Sequence, residues 1–199
     1  SMTLTLTQMR DATPEEAWDL NRRNEWDRPT SGTCHGYVQA NLAILPLADA
    51  LDFFRFAQRN PRPCPILEVT DIGDPEPKLT APGADLRTDL PRYRVYRYGR
   101  LDEERADISD LWRDDFVAFL LGCSFSFEHL LMDAGLPVRN VDQQINGPVY
   151  ISNRECVPAG QFHSKLIVSM RPMPCSSPSC TSDSASSKSP WIRGAYPLL

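Results

Sequence analysis

The chain has 199 residues, enough for one ordinary domain or two small lobes, and 41% of them are apolar, which allows a proper core. A net charge of -5 at pH 7 and a pI near 5.2 give no general attraction to nucleic acid or to an anionic membrane, since either would favour a basic surface. No apolar run is long enough to span a bilayer, and the start lacks the charged, apolar and cleavage regions of a secretory signal, so a soluble cytoplasmic protein is expected.

Ser1-Met2 reads as a cloning scar ahead of the natural Met and is set aside. Six cysteines (Cys34, Cys64, Cys123, Cys156, Cys175 and Cys180) are scattered without a CxxC pair or zinc-site spacing, which predicts mostly reduced thiols and no metal centre.

In chain order, Thr13-Pro14-Glu15-Glu16 joins an N-cap, a Pro at the first helical position and a Glu placed to close a capping box, predicting a helix to about Asn24. Residues 28–36 read as loop, with Pro29, Gly32 and Gly36 as punctuation. Residues 47–58 predict a helix whose core face carries Leu47, Ala50, Leu51, Phe54 and Ala57. Gln39 and Asn41, amides between apolar neighbours, either satisfy local backbone groups or face a ligand.

Asn60-Pro61 stops that helix, and residues 64–70 read as a buried strand. Glu68 in that strand either sits at the solvent edge, the favoured reading, or is held inside by hydrogen bonds or a cation. Residues 71–83 form a Pro- and Gly-rich loop. The octet that follows, Asp85 to Arg92, alternates acid and base. It reads first as surface charge pairs and second as a guanidinium clamp for a carboxylate, because Arg offers a planar fork of donors.

Tyr93 to Tyr98 alternates as a strand that Gly99 ends, and residues 101–109 form a charged, solvent-facing connector. In residues 110–131, Asp110, Asp114 and Asp115 open an apolar run as suits a helix N-terminus. This predicts a core helix, with Phe116 and Phe119 buried, that Gly122 interrupts beside Cys123, Ser124, Ser126, Glu128 and His129. That elbow is either plain packing or a site of reactive side chains on an apolar scaffold. Gly135 and Pro137 mark a turn, residues 148–152 a short strand, residues 153–160 a hairpin or site-building loop, and residues 165–171 a last strand. Strands separated by helices and long connections indicate a mixed α/β fold, a mixed sheet with packed helices.

These residues carry a resemblance. Gln39-Ala40-Asn41-Leu42, Arg59-Asn60-Pro61, Cys64-Pro65-Ile66-Leu67-Glu68-Val69, the run from Asp85 to Tyr93, Gly122-Cys123-Ser124-Phe125-Ser126-Phe127-Glu128, Pro158-Ala159-Gly160 and Val168-Ser169-Met170-Arg171-Pro172 follow one another in the order of one family's signatures. The chain resembles the hydro-lyase family, once a domain of unknown function, that includes a mitochondrial D-glutamate cyclase. The match runs from about Gly36 to Pro172.

The resemblance implies a compact α/β fold that is part of a larger two-lobed one and, for the cyclase branch, dehydration of D-glutamate to 5-oxo-D-proline. It also leaves the mitochondrial matrix as a second location. Relatives continue beyond this point with another α/β portion carrying HGxPxH-like and CGVTPQ-like segments. Here residues 1–172 form the family-like region, and residues 173–199 are Ser/Pro-rich, a composition that predicts an irregular, divergent tail and a truncated site. Trp191 and Ile192 could still dock weakly.

A cyclase must hold two carboxylates, take protons from an ammonium and protonate the departing oxygen. Arg87 and Arg92 are the candidates for carboxylate binding, with Asn41 and Ser126 also in contact with substrate. Ser124 and Ser126 are candidate oxyanion donors, and Glu128 or Asp89 the proton-transfer group. Cys123 is a candidate nucleophile, though a buried structural thiol is favoured, and none of His35, His129 and His163 is marked as its base. The expected partner is a small carboxylate substrate, with no metal or organic cofactor. A strand edge near residues 166–168, if uncovered, would make a homo-oligomer. A hydro-lyase acting on a 2-hydroxy acid, with Glu128 abstracting an α-proton, uses the same groups. The alternative from another class is a non-catalytic carboxylate-binding fragment.

Overall fold

Phe116 to Leu121 is apolar at every position, and a run buried on two faces needs no alternation. In the computed structural model, which describes residues 5–30, 32–124, 126–138 and 149–169, this run is strand β5 (Phe116–Gly122). It lies between β1 (Ala40–Pro46) and β2 (Ile66–Val69), antiparallel to both. The expected core helix is thus corrected to a central strand. A short apolar run fits a buried strand or a buried helix equally well by periodicity, and two flanking strands decide it here.

Strand alternation sends Val117, Phe119 and Leu121 to one face and Ala118 and Leu120 to the other. Helix α3 (Leu47–Arg59) covers the first face, with Phe53 edge-on to Phe119 at 4.8 Å between ring centroids and 77° between planes. Leu86, Leu90 and Trp112, from the segment around residues 71–92 and the approach to β5, cover the second. The face expected for α3 is rotated. Ala50, Phe53, Phe56 and Ala57 are buried, whereas Leu47, Leu51 and Phe54 are exposed. Both sets keep helical spacing, and it is the face carrying Phe53 that meets Phe119 of β5. Phe116, expected in the core, is only half-buried.

Upstream, α1 (Leu6–Asp11) and α2 (Pro14–Arg22) each begin with a complete capping box, that of α2 being the Thr13–Glu16 box expected from sequence. Met9, Ala17, Trp26 and Cys34 form their small core. Tyr98 and Gly99 both take positive φ, 53° and 73°, the turn that suits a two-residue hairpin loop, and they join β3 (Tyr93–Arg97) to β4 (Arg100–Arg105). The first part of the charged connector, to Arg105, is therefore a strand. Its acids pair across the hairpin, Glu104 with Arg94 at 2.8 Å and Asp102 with Arg97 at 2.7 Å.

After β5 comes α4 (Ser126–Asp133), closed at Gly135 by bonds from Gly135 N–H to Met132 O and from Leu136 N–H to Leu131 O. Strands β6 (Val149–Glu155) and β7 (Lys165–Ser169) make an antiparallel hairpin whose connecting loop docks on α3. Asn60 is the clasp. Its Nδ2 donates to Val157 O and its Oδ1 accepts from Val157 N–H, both at 2.8 Å. Gly160, at φ 54°, lies so close to Asp52 that a Cβ would come within 1.9 Å of its carboxylate. Of the recognised signatures, the one around Asn60 thus fastens α3 to the hairpin loop, and the one around Gly160 lets that loop pass close to Asp52. Helices and sheets are mixed as expected, and every ladder described is antiparallel.

Glu68 is buried, the less favoured of its two readings. Its carboxylate accepts from Leu79 N–H at 3.0 Å, Thr80 N–H at 2.7 Å and the Thr80 hydroxyl at 2.6 Å, which ties the loop after β2 to the sheet. Burial alone would raise its pKa, but the Thr80 hydroxyl and the two backbone donors overcome it and hold the group below the ordinary carboxylate range. A carboxyl that binds its proton more weakly when folded stabilises the fold above its unfolded pKa, and that contribution disappears as pH falls through the folded value. The stability difference between wild type and Glu68→Gln, measured by denaturant titration, should be largest near neutrality and shrink below about pH 4. A difference independent of pH would contradict this assignment.

Candidate functional site

The site is assembled where β5 runs out. Gly122 lies against Pro65, whose ring a Cβ at this position would meet at 3.1 Å, and the chain then turns through Cys123 and Ser124 into α4. The turn is pinned from the β1 side by Gln39. Cys123 N–H donates to Gln39 O at 3.1 Å, and the Ser126 hydroxyl accepts from Gln39 N–H at 2.9 Å. Ser126 N–H in turn donates to Cys123 O at 3.2 Å.

Glu128, in the first turn of α4, is 2% exposed. Ser124 is buried, with its Oγ 3.3 Å from that of Ser169 at the end of β7. Asn41 is half-buried and pairs with Leu121 across the ladder, one strand away from the same turn. Five candidates, Asn41, Cys123, Ser124, Ser126 and Glu128, therefore gather at one end of the sheet. A carboxyl, two hydroxyls, an amide and a thiol can donate, accept and relay protons.

Arg87, Asp89 and Arg92 belong to the segment that covers the other face of the sheet. Asp89 is 4% exposed and accepts four hydrogen bonds: from Arg22 Nε at 2.6 Å, Arg22 Nη2 at 2.7 Å, Asp85 N–H at 2.7 Å and the Thr88 hydroxyl at 2.8 Å. Asn21 Nδ2 also donates to Asp89 O at 2.8 Å. Those bonds occupy the carboxylate's acceptor positions and fasten the segment to α2. The bond to Asp89 raises the Arg22 guanidinium above its ordinary pKa.

Arg87 forks onto Asp85 through Nε and Nη2, at 2.9 and 2.7 Å, and Asp85 stays below the usual carboxylate range despite the opposing effect of burial. Arg92 is exposed, and its bonds among the described residues, to Asn24 Oδ1 and Pro91 O, both leave from Nη1. The His35 imidazole lies 3.9 Å from the Asp133 carboxylate, and His163 is exposed. The side chain of His129 lies outside the described residues.

Burial raises the thiol pKa of Cys34, Cys64 and Cys156, that of Cys64 to about 12, so these three behave as packing groups. Among the described residues no cluster of His, Cys, Asp and Glu could hold a metal ion, and no helix is long and apolar enough to cross a membrane. Two open surface depressions, one at the tip of the β3–β4 hairpin and one along α1 and α2, include none of the candidate residues.

Sequence reasoning singled out the turn but missed what holds it. Gln39 meets the turn through its backbone while its side-chain amide donates to Thr33 O at 3.1 Å, the local-backbone role weighed for it, and Ser169 reaches the turn through a contact across 45 residues to which only its place in a recognised signature points. Arg22 carried no signal at all, since a helix-surface arginine has no mark of a distant partner.

Comparison with known proteins decides the family. The chain is 51% identical over 191 residues to a protein of Psychrobacter arcticus named "Putative hydro-lyase", an alignment covering 96% of this chain and 72% of that protein. The chain belongs to this hydro-lyase family. Namesakes from Rubrobacter xylanophilus and Geobacillus kaustophilus are 59% and 56% identical over 157 and 160 residues, or 79% and 80% of this chain. The hydro-lyase chain spans 61% of the length of each of these two relatives.

The D-glutamate cyclase family pattern matches residues 117–195. That stretch starts inside β5, includes the whole turn with Glu128, and continues past Pro172 into the segment expected to diverge. Residues 170–199, with Cys175, Cys180, Trp191 and Ile192, lie outside the described residues.

Proposed function

We propose that this hydro-lyase closes D-glutamate into 5-oxo-D-proline at the turn between β5 and α4. The supporting observation is the burial of Glu128 inside the stretch matched by the D-glutamate cyclase pattern, close in sequence to Ser124 and Ser126. The α-nitrogen attacks the γ-carboxyl carbon, a C–N bond forms and a C–O bond breaks. The two protons lost by the ammonium leave with the oxygen as water.

Glu128 carries protons from nitrogen to the departing oxygen, a task that needs one carboxyl able to take and return them. Ser124 donates to the oxygen on which charge develops, and Ser126, whose hydroxyl accepts from Gln39 N–H and donates to Gln39 O, holds the turn. Asn41 orients the substrate, and Arg92 with Arg87 neutralises its carboxylates, Arg92 being the less committed within the protein. Asp89 serves the fold, its acceptor positions being occupied. Cys123 packs within the turn and performs no covalent step. The scheme draws on no metal or organic cofactor.

Incubation of the purified chain with D-glutamate, L-glutamate or a 2-hydroxy acid, followed by chromatography of the products, tests this reading. Formation of 5-oxo-D-proline from the D-isomer is expected. Dehydration of the hydroxy acid alone would move the substrate to the other hydro-lyase class. Ligand-dependent stabilisation by D-glutamate without any product would identify a binding fragment.

A further inference from the structure

Strands β3 and β4 pair only with each other among the described residues. Two strands alone are marginally stable in water, and each carries an outer edge of unpaired backbone groups. The two-residue turn at Tyr98 and Gly99 decides which groups these are. Arg97 and Arg100, next to the turn, exchange hydrogen bonds, so by antiparallel alternation Val95 also faces β4. The register shift between Val95 and Tyr96 puts its extra residue on β4 and leaves the alternation of β3 intact. The N–H and C=O of Arg94 and Tyr96 therefore point outward, and no other described segment takes them up.

The two edges differ in what they accept. If β4 met its own copy antiparallel over its full length, Arg100 would oppose Arg105 and Asp102 would oppose Glu103, like charge on like charge. β3 reads Tyr-Arg-Val-Tyr-Arg. Laid antiparallel on its copy about Val95, it puts Arg94 opposite Tyr96 and Tyr93 opposite Arg97, and no arginine faces an arginine. In that register the outward groups of Arg94 meet those of Tyr96, as a ladder requires. A slip of one residue would set outward groups against inward ones, and a slip that brings Arg94 onto its own copy would oppose two cations.

The arginines do not block this edge. Arg94 and Arg97 are already matched across the hairpin by Glu104 and Asp102, and Tyr96, 46% exposed, offers its ring to the guanidinium opposite.

We infer that the outer edge of β3 is a docking surface for a second copy of this chain, the two hairpins joining about a two-fold axis at Val95 into one four-stranded antiparallel sheet. The contact is independent of the reaction assigned above. Five residues of ladder cover less than a standard interface, so the dimer is weak, with a dissociation constant of about 10–1,000 μM.

Sedimentation of the chain across that concentration range should show monomer passing into dimer. Tyr96→Pro removes an outward N–H at an edge position, where proline is tolerated, and should weaken association by about 10-fold or more with circular dichroism and thermal unfolding close to wild type. Val95→Cys sets two thiols opposite each other at the axis, in a non-hydrogen-bonded pair with Cα atoms about 4.5 Å apart, which a disulfide can bridge. With oxidised glutathione as the oxidant, Val95→Cys should give a linked dimer on non-reducing electrophoresis. Wild type, whose four described cysteines are buried, and Arg94→Cys, which faces Tyr96 of the second copy, should not.

A chain that stays monomeric up to about 1 mM overturns the proposal, as does a dimer that a folded Tyr96→Pro leaves as tight as wild type. Linking through Arg94→Cys in place of Val95→Cys overturns the axis at Val95. If Tyr96→Pro does not fold, the Val95→Cys link, made in a hairpin with its backbone unchanged, decides alone.

Discussion

Phe119→Ala should cost about 3–5 kcal/mol in unfolding free energy, the range for truncating a fully buried aromatic ring. Phe119 is 1% exposed in the central strand, and its ring is met edge-on by Phe53, which is in turn met by Phe162 at 5.3 Å. The lost ring therefore opens a void between β5, α3 and the loop after β6, where the walls are fixed by hydrogen-bonded backbone and can relax only in part. Phe54→Ala is the internal contrast, because Phe54 is 44% exposed on the solvent side of α3 and its loss should cost well under half as much. Equal losses for the two variants in urea titration would show that the packing face of α3 has been misplaced.

That contrast also marks how far the sequence could be read. Capping at Thr13, the alternation of β3 and the stop at Asn60-Pro61 rest on local chemistry and are legible in a few residues. The burial of Phe53 rather than Phe54 is not, because two helical faces of similar apolarity compete and only the facing strand chooses. The same holds for β5. Its continuous apolar run fits helix and strand alike until pairing with β1 and β2 fixes it.

For the candidate site, residue types were legible and partners were not. The run Gly122 to Glu128 announces a cluster by its density of hydroxyl, thiol and carboxyl groups, and Cys123, Ser124 and Glu128 are buried where β5 gives way to α4. The acid–base octet announces nothing so definite. Asp89 and Arg87 look as available for substrate as Glu128 does, and only long-range contacts to Arg22 and the local fork onto Asp85 show their charges already engaged. Asn60 and Gly160 carry the same lesson, since both belong to recognised signatures, Asn60 fastening α3 to the loop after β6 and Gly160 leaving room for Asp52 where the two meet.

Glu128 and Asp89 are thus two buried carboxylates that this account separates by function, and the separation carries the second large effect. Glu128→Gln keeps size and polarity but cannot carry a proton, so kcat for D-glutamate should fall on the order of 100-fold or more while the protein remains folded. Asp89→Asn weakens the bonds with Arg22 and leaves a cation facing a neutral amide. It should lower stability by about 1–3 kcal/mol, less than for a fully buried pair because Arg22 is 43% exposed, and leave the rate per folded molecule near wild type.

The decisive measurement is the turnover number for D-glutamate of the two variants beside wild type, each corrected for its folded fraction from thermal unfolding of the same sample. A folded, nearly inactive Glu128→Gln and a destabilised, active Asp89→Asn are expected. A Glu128→Gln protein with wild-type turnover, or an Asp89→Asn protein that is fully folded and inactive, would place the proton-transfer chemistry elsewhere and contradict it.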